Sequence, residues 1–136
     1  MAFNGYLLKM GADVFPLSFV YKNSYTVTPN RRQDIDPTRN ANGVLERTVL
    51  DHMPSTISFK TKPMYNQEVN ELMKFIRNHY SVEKEKKIVI EYYCPDLDDY
   101  KTGEFYVPDI SFQIDMVDVE KKKILYREFQ LDFIEY

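Results

Sequence analysis

The apolar residues of this chain recur mainly at every second position, and in one place only does the period lengthen. In STISFKTK the alternating positions are Ile57, Phe59 and Thr61. In ISFQIDM they are Ile110, Phe112, Ile114 and Met116, and in REFQLDFIEY they are Phe129, Leu131 and Phe133. A two-residue period sends successive side chains to opposite faces of an extended chain, so each run predicts a half-buried strand. In YNQEVNELMKFIRNHY, by contrast, Val69, Leu72, Met73, Ile76 and Tyr80 recur at offsets of three, four and seven, which is one face of a helix. Asn66 is placed to cap that helix, with Glu68 in its positive first turn and Arg77 and His79 in its last. One helix over about 66–80, among strands that are not interleaved with further helices, excludes a doubly wound parallel sheet. The class that remains is mainly β (α+β): an antiparallel β-barrel or sandwich with one packed α-helix and a long polar arm.

The remaining elements follow from turn residues. FNGYLLKMGADVFPLSFVYK reads as two short strands joined at Gly11-Ala12-Asp13, and SYTVTP as a third that Pro29 ends. VLERTVL and STISFKTK read as a strand pair. After the helix come three long strands, from KIVIEYY, EFYVPDISFQIDMVDV and KILYREFQLDFIEY, with CPDLDDYKTG as a turn-rich loop ending at Gly103. The last pattern runs to Tyr136, which predicts a C-terminus tied into the sheet. A chain of 136 residues without repeat or linker is expected to form a single domain, 1–136, around one modest core.

One stretch fits none of these patterns. Between Pro29 and Val44 the sequence NRRQDIDPTRNANG holds almost nothing apolar, while the chain on either side is rich in Tyr, Phe, Ile, Leu and Val. Loops longer than about 12–15 residues are usually functional or disordered. Arg31, Arg32 and Arg39 stand against Asp34 and Asp36, a near-balance that disfavours a nucleic-acid clamp and suits a complementary protein surface. Asp36-Pro37 and Asn42-Gly43 bracket a piece with turn chemistry of its own, as in an extended hairpin. A flexible insertion is the plainer alternative.

Composition narrows the function further. The net charge is −3, and the basic runs EKEKK and EKKK are interrupted by glutamate and read as solvated turns. Sequence-specific nucleic-acid binding is therefore not expected. Neither is a membrane span, since no window approaches about 18 apolar residues. The N-terminus lacks the features of a signal peptide, and the single Cys94 points to a reducing compartment.

Catalytic patterns are equally scarce. His52 and His79 belong to no metal-spaced pair, and the acidic neighbours Asp96, Asp98 and Asp99 would keep Cys94 a thiol. Glycine occurs only at 5, 11, 43 and 103, so no phosphate-cradling loop exists. An EF-hand count from Asp96 puts Lys101 at the sixth position and Val107 at the twelfth, which fails the pattern. Glu104 and Asp109, as a carboxylate pair, would face opposite sides of a strand. The expectation is a non-enzymatic protein with no metal and no cofactor. The alternative is a small-molecule-binding barrel in which Tyr92, Phe105, Tyr106 and Phe112 line a cavity.

The order of elements resembles the barrel-plus-helix proteins of long-tailed phage tails: tail tube, distal tail and baseplate hub. NGYLLK, YTVTPNRRQDIDPTRNANGVLERTVL, YKTGEFYVPDISFQI and the closing FIEY are similar, more narrowly, to a small family encoded among tail genes of phages and prophages of Gram-positive bacteria. The resemblance spans nearly the whole chain. It implies a virion component, a tube, distal tail, baseplate or tail-completion protein, made in the host bacterial cytoplasm and partnered by itself and by other tail proteins. It also implies that residues 30–43 form an inter-subunit arm, with Arg31, Arg32, Asp34, Asp36, Arg39 and Asn42 at the interface, and that the helix covers a barrel. A negative charge would suit a conduit whose wall repels passing phosphates.

Overall fold

A computed structural model describes residues 3–29, 34–39, 43, 45–49 and 54–136, with 34–39 and 45–49 traced as backbone. In chain order the strands before the helix are β1 (Leu8–Met10), β2 (Asp13–Val14), β3 (Thr26–Thr28), β4 (Asp34–Arg39), β5 (Leu45–Val49), β6 (Thr56–Lys60) and β7 (Met64–Tyr65). The helix α1 (Asn66–Arg77) follows. After it come β8 (Tyr80–Val82), β9 (Lys87–Cys94), β10 (Asp99–Tyr106), β11 (Ile114–Asp118), β12 (Lys123–Tyr126) and β13 (Gln130–Glu135). The mainly β, antiparallel class with one helix is what the sequence predicts.

The main sheet runs β2-β1-β9-β10-β13-β6-β3, with β8 beside β9. Its two ends, β2 and β3, do not pair with one another, so the sheet is open and the expected barrel is not closed. The longest pairing is the β9–β10 hairpin, in which all eight residues of each strand are matched, from Asp99 opposite Cys94 to Tyr106 opposite Lys87. The register fixes two unlike faces. On one, Leu8, Met10, Ile88, Ile90, Tyr92, Cys94, Phe105, Leu131, Phe133, Ile57 and Phe59 are buried. On the other lie Lys9, Lys87, Glu91, Glu104, Ser58 and Asp132, with Lys87 paired to Glu104 at 3.0 Å.

The apolar face is covered by α1, whose Val69, Leu72 and Ile76 join the same core. Met73 and Phe75 are half-buried against it. Asn66 does not cap the helix. It is the first helical residue, after Tyr65, and its side-chain oxygen instead accepts the Ile124 N–H at 3.1 Å. That bond ties the helix start to the second sheet, β11-β12-β7. The helix ends at Arg77, earlier than the periodicity predicts, and Tyr80 belongs to β8. His79 donates from Nδ1 to the Phe75 carbonyl at 2.6 Å, satisfying an end carbonyl, and reaches the Asp13 carboxylate with Nε2 at 2.7 Å.

The three long strands expected after the helix are six. β10 begins at Asp99, so the turn is only Pro95–Asp98 and Gly103 lies within a strand rather than at a loop end. Pro108, which offers no N–H to a ladder, follows the end of β10, and the chain leaves the main sheet before resuming as β11 in the smaller one. KILYREFQLDFIEY splits likewise into β12 and β13, because Phe129 turns inward and exchanges bonds with Thr61: Thr61 N–H to its carbonyl at 2.9 Å, and its N–H to Thr61 Oγ1 at 3.2 Å. The closing strand does tie the C-terminus into the sheet, with Tyr136 N–H on the Glu104 carbonyl at 3.0 Å.

Gly103 has a steric reason. Across the ladder, the Glu135 carboxylate crosses the space that a Cβ at 103 would fill, while its Oε1 accepts the Ser55 N–H at 2.7 Å. Gly103→Ala should therefore lower the unfolding free energy by about 1–3 kcal/mol, whereas Thr102→Ala on the solvent face should change it by no more than about 0.5 kcal/mol. Urea unfolding followed by circular dichroism measures both.

Tyr25 supplies a second test. Its ring stacks on Phe59 with centroids 5.8 Å apart, and its hydroxyl is buried with no hydrogen-bond partner. Burial pushes the phenol well above the ordinary tyrosine range. The same cause raises Tyr80 and Tyr92. A raised folded value leaves stability intact below the unfolded tyrosine value of about 10 and removes it as the pH climbs beyond that. The wild-type melting temperature should fall between about pH 9 and about pH 11, and Tyr25→Phe should shrink the fall. At neutral pH that variant should match the wild type or exceed it by about 1 kcal/mol, since no hydrogen bond is lost. A clear loss of stability would contradict the account.

Candidate assembly surface

The polar arm is a ribbon of two strands. β4 and β5 pair antiparallel, with Asp34 opposite Val49, Ile35 opposite Thr48, Thr38 opposite Glu46 and Arg39 opposite Leu45. The register slips between Ile35 and Thr38, so Asp36-Pro37 forms a bulge, as suits a proline without an amide hydrogen. Gly43, at φ 80°, lies in the connection, where glycine alone adopts a positive φ without cost.

The arm is longer than 30–43 as a result. The sequence reads VLERTVL and STISFKTK as a strand pair, but β5 pairs back onto β4, while β6 pairs with β13 and β3. The sequence shows alternation in both segments, and alternation alone does not say which strand a neighbour is. Of the predicted interface residues, Asp34, Asp36 and Arg39 lie on β4. Arg31, Arg32 and Asn42 lie outside the described residues, as does His52.

Among the described residues, neither strand of the ribbon has a third strand beside it. Another open edge is β11, which among the described residues pairs with β12 on one side only. All along it the apolar side chains stay in solvent: Ile114 and Met116 are 52% exposed, Val117 is 55% and Val119 is 80%. The alternation of Ile110, Phe112, Ile114 and Met116 thus predicts a buried face that the structure leaves largely open. Ile110 packs partly on the core, and Phe112, itself 42% exposed, touches it through Phe129. The register slip at Asp115 adds a further turn to the pattern, because it puts Ile114 and Val117, opposite Tyr126 and Ile124, on one face and Met116 on the other.

Beside this edge is a cleft of about 440 Å³ lined by Asp109, Ser111, Phe112, Gln113, Glu128, Phe129, Gln130 and Asp132. Asp132 is held by the Ser58 hydroxyl at 2.6 Å and the Gln130 amide at 2.9 Å. A smaller cleft of about 330 Å³ lies by Tyr21, Ser24, Phe59 and Lys60.

Among the described residues, the candidates for catalysis named in the sequence stand apart. Cys94 is fully buried. Glu104 pairs with Lys87 and Asp109 with Lys86, the latter at 3.4 Å, so the two carboxylates serve different lysines. The aromatics proposed to line one cavity stand in three places. Tyr92 and Phe105 meet edge-on in the core at 5.4 Å, Tyr106 packs on Tyr136 across the sheet, and Phe112 lies against Phe129 at 4.8 Å. Among the described residues no group of three His, Cys, Asp or Glu could hold a metal ion, and no helix is long and apolar enough to cross a membrane.

Comparison with known proteins adds the following. No curated protein matches the chain. Among solved structures the chain is similar to one from the tail of an empty GTA particle, computed with helical refinement in C6 symmetry, at 14% identity, covering 99% of this chain and 95% of that one, with a TM-score of 0.48. A family model matches residues 1–136 throughout, and the chain belongs to that family, the family of unknown function DUF6711.

Proposed function

We propose that this chain is a non-enzymatic structural component of a phage or prophage tail, assembling with copies of itself and with other tail proteins through its arm. The observation that carries the assembly reading is the β4–β5 ribbon, two strands that hydrogen-bond only to each other among the described residues. An isolated two-strand ribbon is marginal in water and gains stability from a third strand or a packed face. The tail assignment rests on the sequence resemblance of NGYLLK, YTVTPNRRQDIDPTRNANGVLERTVL and YKTGEFYVPDISFQI. Arg31, Arg32, Asp34, Asp36, Arg39 and Asn42 are the proposed contacts, set by rim ion pairs that fix register more than affinity. The component would assemble in the host cytoplasm into the tail, as part of the tube, distal tail, baseplate or completion layer. Nucleic acid is not the favoured partner in this reading: the net charge is −3, and on the solvent face of the main sheet Lys87 is paired with Glu104.

Light scattering across a wide concentration range tests the reading. The wild type should reach the mass of a ring or stack, and a variant with 30–49 replaced by a short Gly-Ser turn should remain a folded monomer. If both proteins are monomers at every concentration, self-assembly through the arm is wrong.

A further inference from the structure

The arm needs a receiving surface, and the fold offers one. We propose that β11 and its flanks, residues 109–119, form the docking edge for the β4–β5 ribbon of a second copy of this chain. The inference rests on the reading that the arm reaches a neighbour, and it names where on that neighbour the arm lands.

Three observations bear on it. First, β11 is an open edge whose apolar residues are exposed on both faces, a surface that monomeric proteins normally cover or break up with charge. Second, the charges present select the partner. Residues 109–119 contain Asp109, Asp115 and Asp118 and no lysine or arginine. Two such edges laid together would bring aspartates to aspartates, which disfavours pairing of β11 with itself. The arm, in contrast, carries Arg31, Arg32, Arg39 and Arg47 against Asp34, Asp36 and Glu46 over residues 30–49. Third, the adjoining cleft is lined by Phe112 together with Asp109, Glu128 and Asp132, of which Asp109 also faces Lys86 at 3.4 Å and Glu128 faces Arg127 at 3.8 Å. A guanidinium both stacks on such a ring and pairs with such carboxylates. A strand added at β11 would give the ribbon its third strand and cover the exposed isoleucine, methionine and valines in one step.

The docking is head to tail, arm to edge, so it predicts complementation. Three variants are compared with the wild type by light scattering: 30–49 replaced by a Gly-Ser turn, Met116→Lys, and Val119→Lys. The last changes a residue so exposed that the core is untouched, which protects the test if Met116→Lys misfolds; melting curves check both. Each edge variant should raise the concentration needed for assembly at least about tenfold. An equimolar mixture of the arm-replaced and Met116→Lys proteins should form a dimer that grows no further, because it holds one intact arm and one intact edge. Edge variants that assemble like the wild type would overturn the inference while leaving arm-driven assembly standing. A mixture that stays monomeric would also overturn it. A wild type that is monomeric at every concentration would remove the assembly reading and this inference with it.

Discussion

An extended backbone has to place its N–H and C=O groups somewhere, and this chain makes more strand edges than it covers. The main sheet ends at β2, of two residues, and at β3, of three residues followed by Pro29. Edges so short, or stopped by a proline, offer little to a further strand. Among the described residues, longer edges with a strand on one side only include the five-residue β11 and the ribbon of β4 and β5. The proposed assembly role rests on that distribution: among the described residues the core is covered by the main sheet and helix, while β11, which carries only aspartates as charged residues, and the arm, which carries four arginines and three acids over 30–49, offer strand edges.

What finishes the core is the β9–β10 hairpin. Its register commits Ile88, Ile90 and Tyr92 to one face and Lys87, Val89 and Glu91 to the other, and each neighbouring strand inherits that choice. Around its tip the N-terminal segment is clasped by aromatic rings. Tyr6 stacks on Tyr100 at 4.5 Å and donates its hydroxyl to Glu91, while Tyr100 donates to the Tyr6 carbonyl at 2.7 Å. Inside, the Tyr92 and Ser55 hydroxyls bond at 2.7 Å, and the Ser55 N–H is taken by Glu135. Buried polar groups in such a core need partners of this kind, and Tyr25 is where one is missing.

The elements with strict periods were legible in the sequence. Phe129, Leu131 and Phe133 are buried as their alternation predicts, and Val69, Leu72 and Ile76 are the inward face of the helix. Partners and breaks were not legible, because they depend on contacts distant in sequence. Nothing near Asn66 foretells that its side chain serves Ile124 rather than its own helix. Nothing in VLERTVL says that it folds back on the arm and not onto β6. The alternation through Ile110 to Met116 is real, yet periodicity reports only that a face is apolar, not that the same chain covers it. For that reason the alternation predicts a half-buried strand, whereas Ile114 and Met116 stand in solvent at the edge of a three-stranded sheet.

The central claim is that the ribbon and the β11 edge complete one another between copies. Amide hydrogen exchange, followed by mass spectrometry at concentrations below and above assembly, tests it most directly. The account predicts that peptides covering 34–49 and 114–118 exchange fast in the monomer and gain protection together as the assembly forms, with the β9–β10 hairpin protected throughout. Protection that rises in the ribbon while 114–118 continues to exchange as in the monomer would contradict it.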